Sequence, residues 1–304
     1  MGWSQFTHSF LATIHACFSD TDIIFYVNVA NSPFGLIAKL FFKKTIINVD
    51  GIEWERPKWK GIGSVYYKIT SRLAKPFFDC VITDAIAMQE IYKRRLDCDS
   101  FVITYGAEEC SKYDESILTR YNLVKCNYYL VVGRMIPDNN LDFIIEDYIK
   151  SNSKKPLVVV GGDFFESSFV KEVLKKISKY KNIILTGYIN DSDQLSTLYK
   201  YSSAYIHGHE YGGTNPTMIT AMKEACMILA LDTIFTREML SNGDAGIFFE
   251  KRKYSLTSLI KKIDDFGTDT NNLYRLNARR IADEKYNWDL IAKSYLEVFN
   301  KILV

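Results

Sequence analysis

The run His207-Gly-His-Glu-Tyr-Gly-Gly-Thr-Asn-Pro216 concentrates side chains that can bind an anion or move a proton. With its neighbours it reads as a strand over 203–206, a glycine-containing loop, and a helix with Asn215 as N-cap and Pro216 as first residue. Gly212 and Gly213 would let the backbone approach a ligand closely. N–H groups left open at the helix start, with the helix dipole, form an anion site suited to a pyrophosphate. The same letters also describe an ordinary capped strand–helix turn, because Gly and Asn are common in turns. His207 and His209 sit either side of Gly208 just past the strand. They could bind a metal, act as acid and base, or hydrogen-bond a ligand or the backbone. No further ligand set accompanies them, so no metal is expected.

Two other segments put polar groups directly after strands. In Val131-Val-Gly-Arg-Met-Ile-Pro-Asp-Asn-Asn140 a strand ends at Gly133 and Arg134 follows, offering a planar fork matched to phosphate oxygens. Gly161 and Gly162 follow another strand. In Asn48-Val-Asp-Gly-Ile-Glu-Trp-Glu-Arg-Pro-Lys-Trp59, Asp50 and Glu53 follow a strand and are expected to face a cleft. A carboxylate there could orient or deprotonate a hydroxyl. The alternative is a loop capped by Asp50 and packed by Trp54 and Trp59. Glu210 either orients a sugar hydroxyl or is solvated. Around the third segment, Lys39, Lys43, Lys44, Arg56, Lys58, Lys60, Lys68, Arg72 and Lys75 mingle with Phe41, Phe42, Trp54, Trp59, Tyr66 and Tyr67. That mixture suits an anionic membrane surface or a solvated helix face, with nucleic acid a weaker third option. Asp191-Ser-Asp193 and Asp97-Cys-Asp99 look like metal-binding pairs, but capping accounts for Asp191.

The elements that must hold these groups are short apolar runs alternating with amphipathic stretches. Strands are expected at 23–27, 45–49, 80–83 and 101–104, then at 128–132, 157–160, 183–185, 203–206, 227–231 and 246–249. The runs are apolar throughout, as parallel strands covered on both faces require. Helical patterns at 141–151, 169–180 and 194–201 lie between them. The alternation predicts doubly wound α/β sheets, whose ligands bind beyond the carboxyl ends of the strands. A polar stretch over 114–127 separates the two strand series. The chain has 304 residues and a formal charge of +2, a length for about two domains and a balance that does not call for nucleic acid. Its six cysteines form no CxxC pair and several lie in apolar runs, which predicts reduced thiols in a cytoplasmic protein. No apolar stretch reaches the ~20 residues of a membrane span. The N-terminus lacks the basic and apolar regions of a signal peptide, so export is not expected.

Taken in order, these segments resemble bacterial rhamnosyltransferases of capsule and O-antigen synthesis, within the retaining family-four glycosyltransferases. The matching pieces are Val49-Asp-Gly-Ile-Glu-Trp with Arg56 and Lys58-Trp59, Tyr105-Gly-Ala-Glu108, Tyr128-Tyr-Leu-Val-Val-Gly-Arg134 with Pro137 and Asn139-Asn140, His207-Gly-His-Glu with Gly212-Gly-Thr-Asn-Pro216, and Asn287-Trp-Asp-Leu-Ile291. They span almost the whole chain. The resemblance implies a GT-B fold: two Rossmann-like domains facing a cleft, over 1–120 and 121–285, with a terminal helix over 286–304 that packs back on the first. It implies a nucleotide-sugar donor, dTDP-L-rhamnose, and a lipid-linked saccharide acceptor at the inner face of the cell membrane, with no metal or other cofactor. Donor-binding residues would be Gly133, Arg134, Asn139, His207, Glu210, Gly212, Gly213, Thr214, Asn215, Thr220 and Glu224. Asp50 falls where many family-four enzymes place a cleft histidine. Asp50, Glu53 and His209 are the catalytic candidates.

Two departures stand against that pattern. Many family-four enzymes carry two Glu eight positions apart, the second gripping the nucleotide ribose; here Gly212 and Thr220 occupy those positions, and Glu224 lies one turn later. Asn139 stands in place of the usual pyrophosphate Lys, a change that the rhamnosyltransferases share. The opening strand–loop–helix units of the first domain are also not recognisable, and Met1-Gly-Trp-Ser stands where a mid-domain helix is expected, so that domain reads as shortened. These departures keep open an impaired glycosyltransferase-like partner subunit, and a GT-B sugar-nucleotide epimerase is a third reading.

Overall fold

The structure, a computed structural model, describes residues 3–59, 61–162, 167–265 and 268–304. Met1, Gly2 and Lys60, named above, lie outside them. The chain forms two compact units: 1–105 with 211–214 and 288–304, and 106–210 with 215–287.

The first unit runs α1 (Trp3–Cys17), β1 (Ile23–Val27), α2 (Ser32–Leu40), β2 (Lys44–Val49), α3 (Ile62–Phe77), β3 (Cys80–Thr83), α4 (Ile86–Leu96) and β4 (Phe101–Val102). The second runs α5 (Ser116–Arg120), β5 (Tyr129–Val132), α6 (Leu141–Ser151), β6 (Leu157–Val160), α7 (Ser168–Ile177), β7 (Ile183–Gly187), α8 (Ser192–Lys200), β8 (Ala204–His207), α9 (Pro216–Lys223), β9 (Ile228–Leu231), α10 (Ile234–Met239), β10 (Ile247–Phe249), α11 (Ser255–Asp264) and α12 (Thr268–Lys285). The final helix, α13 (Trp288–Leu303), belongs to the first unit.

In the first unit the strands lie in the order β1-β2-β3-β4, every pairing parallel. β2 and β3 are buried almost throughout because they are apolar on both faces. β1 is one edge of the sheet and is half covered: Ile24 and Tyr26 are buried, while Phe25 and Val27 are exposed. α13 places Ile291 and Val298 against Ile46, Cys80, Ile82 and Ile103. Large apolar side chains of this kind contribute about 1.5–3 kcal/mol each when fully buried. Tyr295 and Phe299 of the same helix meet the Phe25 ring edge-on. β4 is shorter than its apolar run suggests, and its last ladder-like bond is Ile103 N–H to Thr83 O at 2.9 Å.

In the second unit the order is β10-β9-β8-β5-β6-β7, again all parallel. The chain builds outward from β5 through β6 to β7, returns to β8 beside β5, and then builds the other way. The strand order therefore reverses between β5 and β8, and a crevice opens beyond the carboxyl ends of strands at such a switch point. The sheet core includes Tyr129, Val131, Leu157, Val159, Ala204, Ile206 and Leu229, packed with Ile144, Ile145 and Tyr148 of α6. α12 is pinned by Arg275, whose guanidinium donates to the carbonyls of Ala225, Ser202 and Ser203 at 3.0, 2.6 and 3.0 Å. The polar stretch over 114–127 is not wholly irregular: it forms α5, which buries Ile117 and Leu118. All six cysteines are free thiols; Cys17, Cys80, Cys98 and Cys226 are buried, and Cys126 is exposed. Among the described residues no helix is long and apolar enough to cross a membrane.

Candidate active site

The switch point of the second unit holds a cavity of about 420 Å³. Gly133, Arg134 and Asn139 line it from beyond β5, Gly161 and Gly162 from beyond β6, His207, Gly208 and His209 from beyond β8, and Asn215 to Thr217 from the start of α9. Tyr188, Ile189 and Leu195 supply an apolar side. Gly161 has φ +139°, and a Cβ there would sit 1.9 Å from the Gly133 carbonyl oxygen. Only glycine allows the ends of β5 and β6 to approach this closely.

Arg134 is exposed, and its guanidinium bonds to none of the described residues. Its backbone is held instead: Asn139 Nδ2 donates to Arg134 O at 2.7 Å, while Asn139 Oδ1 lies 2.8 Å from His209 Nδ1. Both ends of the Asn139 amide are thus occupied in shaping the wall. Because Oδ1 can only accept, His209 Nδ1 carries a proton and donates. Glu210 is tied by Oε2 to Lys251 Nζ at 2.7 Å and to Asn140 Nδ2 at 3.1 Å. Asn140 Nδ2 also donates to Gly208 O at 2.8 Å. His207 is buried, and burial lowers its pKa to about 4, so the imidazole is neutral at pH 7.

At the start of α9, Asn215 is the N-cap and Pro216 the first residue. The cap consumes what the sequence suggested would stay open. Thr217 N–H goes to Asn215 Oδ1 at 3.0 Å, Pro216 has no N–H, and Met218 N–H goes to Asn215 O at 3.1 Å. Any anion here is served by the dipole and by Arg134 more than by a row of open amides. Neither Thr220 nor Glu224 is among the lining residues. Thr220 Oγ1 bonds back to Pro216 O at 3.1 Å. Glu224 is buried just past α9 and accepts from Tyr113 Oη at 3.0 Å; burial pushes its carboxyl pKa up against that hydrogen bond.

Gly212, Gly213 and Thr214 cluster with the first unit. Gly212 bridges Gly51, Gly213 N–H points to Asp50 O at 3.4 Å, and the Thr214 hydroxyl donates to Asp84 O. A Cβ on Gly213 would lie 1.9 Å from Asp84 Oδ1, so this glycine is required by the Asp84 carboxylate. Asp50 follows β2 directly. Burial raises its pKa, and Glu53 adds to the shift while Arg56 opposes it. Glu53 is buried with both oxygens engaged: Arg56 Nε is 3.0 Å from Oε1, and the Trp59 indole donates to Oε2 at 2.8 Å. Its geometry is that of an anchor for the loop after β2. Asp191 caps α8 through Asp193 N–H and Gln194 N–H, and Asp97 and Asp99 pair with Lys75 and Lys93.

Asp84, Tyr205 and Thr217 were missed in the sequence. Asp84 follows β3 as directly as Asp50 follows β2, so position after a strand would have found it. Tyr205 lies two residues before His207 and shares its strand face.

Comparison with known proteins gives the family. Residues 120–284 match the family of glycosyl transferases group 1, and residues 19–108 match a domain of unknown function, DUF1972. No curated protein sequence matches. Among solved structures, HepE from Anabaena in complex with UDP superposes with TM-score 0.79 at 17% identity, covering 96% of this chain and 82% of that one. Sucrose-phosphate synthase from Thermosynechococcus elongatus gives TM-score 0.80 at 13% identity, covering 98% and 77%. A glycosyltransferase from Rickettsia africae gives 0.77 at 18%, covering 98% and 81%. These likenesses, with the two parallel-sheet units, identify the fold as GT-B. The family match covers more than half of the chain, and the protein belongs to the glycosyl transferases group 1.

Proposed function

We propose that the second-unit cavity binds a nucleotide-activated sugar and that the protein transfers L-rhamnose from dTDP-L-rhamnose to a lipid-linked saccharide in capsule, O-antigen or exopolysaccharide synthesis. The carrying observation is the cavity at the switch point, with the Arg134 guanidinium, bonded to none of the described residues, and the start of α9 on its wall. The HepE structures hold UDP and UDP-glucose, which supports a nucleotide-sugar donor. Rhamnose and the lipid acceptor rest on the sequence resemblance. In the transfer, the bond from the anomeric carbon to the β-phosphate oxygen breaks and the acceptor oxygen bonds on the same face. The acceptor proton passes to the leaving phosphate. Arg134 stabilises the diphosphate as charge develops on it. Asp50 is the first unit's candidate for engaging the acceptor hydroxyl.

We place the acceptor side at an anionic membrane surface on the cytoplasmic face. One face of α3 exposes Ile62, Val65 and Ile69 together with Lys68 and Arg72, and Phe42 after α2 is 95% exposed beside Lys43 and Lys44. Apolar groups with flanking cations match a bilayer of acidic lipids. The partner-subunit reading keeps one observation in its favour, because neither Thr220 nor Glu224 offers a carboxylate to the cavity. Calorimetry with dTDP, UDP and GDP separates the readings, since absence of all nucleotide binding would end the enzyme reading. Product analysis with dTDP-rhamnose and a lipid-linked saccharide then tests the transfer, and binding without transfer to any acceptor would refute the proposed substrates.

A further inference from the structure

The wall of the cavity contains a chain of hydrogen bonds whose proton positions can be counted. Asn215 Oδ1 accepts Thr217 N–H at 3.0 Å, which fixes that atom as the oxygen of the amide. Thr217 Oγ1 lies 2.8 Å from the same oxygen, and since Oδ1 can only accept, the threonine proton is spent there. Tyr205 Oη lies 2.9 Å from Thr217 Oγ1. Thr217 has no second proton, so Tyr205 is the donor. Tyr205 Oη also lies 3.0 Å from His207 Nδ1. Its own proton is now committed, so it accepts, and His207 Nδ1 carries the hydrogen. The Tyr199 ring packs edge-on against Tyr205, with centroids 5.3 Å apart. Tyr205 and His207 are both buried, so water does not compete for the bond between them.

The other ring nitrogen of His207 has no hydrogen-bond partner among the described residues. With Nδ1 protonated and the ring neutral, Nε2 is a bare lone pair on a residue that lines the cavity. We propose that His207 is locked as the Nδ1–H tautomer and presents Nε2 as an acceptor, making this point of the cavity a subsite for a sugar hydroxyl and not for a phosphate oxygen. The proposal rests on the reading of the cavity as a nucleotide-sugar site. A phosphate oxygen would set acceptor against acceptor, whereas a hydroxyl supplies the missing proton. The nucleotide's pentose and the transferred sugar both carry such hydroxyls. The diphosphate is then left to Arg134, across the cavity wall from β8.

The first test needs no ligand. Long-range proton–nitrogen correlation spectra of the 15N-labelled protein should show a pyridine-type Nε2 and a pyrrole-type Nδ1 for His207, assigned by loss of the signals in His207→Phe. Tyr205→Phe should abolish the preference. A pyrrole-type Nε2 in the wild type overturns the proposal. The second test is calorimetry with a nucleoside diphosphate, its 2′- and 3′-deoxy analogues and the corresponding sugar nucleotide. Loss of the partner hydroxyl should weaken binding about 3- to 10-fold in the wild type and not in His207→Phe. A ribose source shows in the deoxy analogues; a sugar source shows only in the sugar nucleotide. Equal weakening of every ligand in His207→Phe, inorganic pyrophosphate included, overturns the hydroxyl assignment. So does a wild type that is indifferent to both deoxy analogues and binds the sugar nucleotide no more tightly than His207→Phe does. If no nucleotide binds at all, the donor-site reading and the subsite fall together while the tautomer result stands.

Discussion

Replacing Arg134 by alanine should weaken diphosphate binding without weakening the fold. The side chain is exposed and its guanidinium bonds to none of the described residues, so its removal should change stability by no more than about 0.5 kcal/mol. On a bound diphosphate it would form a charge-assisted fork worth about 1.5–3 kcal/mol. Each 1.4 kcal/mol is about tenfold in affinity, so Kd should rise about 10- to 150-fold. Solvent at an exposed site favours the lower half of that range. Arg134→Lys keeps the charge but loses the fork and should fall between the two. The assay is titration calorimetry with UDP and dTDP, with uridine and thymidine as controls, beside urea unfolding of each variant. The diphosphates should weaken and the nucleosides should not. Wild-type affinity for the diphosphates in Arg134→Ala would refute the placement of the phosphates. Parallel loss for nucleosides would mean that the cavity itself had collapsed.

Three further outcomes are expected. Gly161→Ala puts a Cβ 1.9 Å from Gly133 O at a φ of +139°, so overpacking of about 1–3 kcal/mol adds to backbone strain of similar size; an unchanged urea midpoint would contradict the close approach of β5 and β6. Asp50 has a carboxyl pKa raised first by burial and then by Glu53, so the stability carried by its protonated form is present below the ordinary carboxylate pKa and lost as pH rises through the raised one. Asp50→Asn should therefore match the wild type in acid and unfold at a higher temperature above that pKa, and a difference that does not vary with pH would sink the assignment. The protein should sediment with vesicles containing phosphatidylglycerol and far less with pure phosphatidylcholine. Reversing Lys68 and Arg72 to Glu should lower that binding at least about tenfold, at about 1 kcal/mol per cation, and indifference to lipid charge would remove the membrane proposal.

The sheets were legible because their strands are apolar on both faces: the runs at 23–27, 80–83 and 157–160 coincide with β1, β3 and β6 to the residue. The α9 cap was legible too, since Asn before Pro leaves the backbone few other choices. What could not be read is which distant residue each polar group meets. Glu53 looked available until Arg56 and Trp59 closed on both its oxygens. Gly213 looked like room for a ligand, but the room belongs to Asp84, 129 positions earlier in the chain by simple difference of their numbers. Asn139 reads as a substitute for a lysine, yet its amide spans the Arg134 carbonyl and the His209 ring. Local pattern fixes elements and turns. Partners set by folding of the whole chain decide which side chains stay free for chemistry.

The four residues Tyr211 to Thr214 belong to one unit while the residues on either side belong to the other. The chain therefore changes unit at four places, after residues 105, 210, 214 and 287. A single protease nick releases neither unit. A fragment spanning 106–287 would fold with Gly213 N–H deprived of the Asp50 carbonyl and the Thr214 hydroxyl deprived of the Asp84 carbonyl. Gene dissection at one boundary is thus a poor route to an isolated nucleotide-binding half. A workable half would replace 211–214 with a short polar loop joining Glu210 to Asn215, leaving the His209 wall and the α9 cap in their own unit.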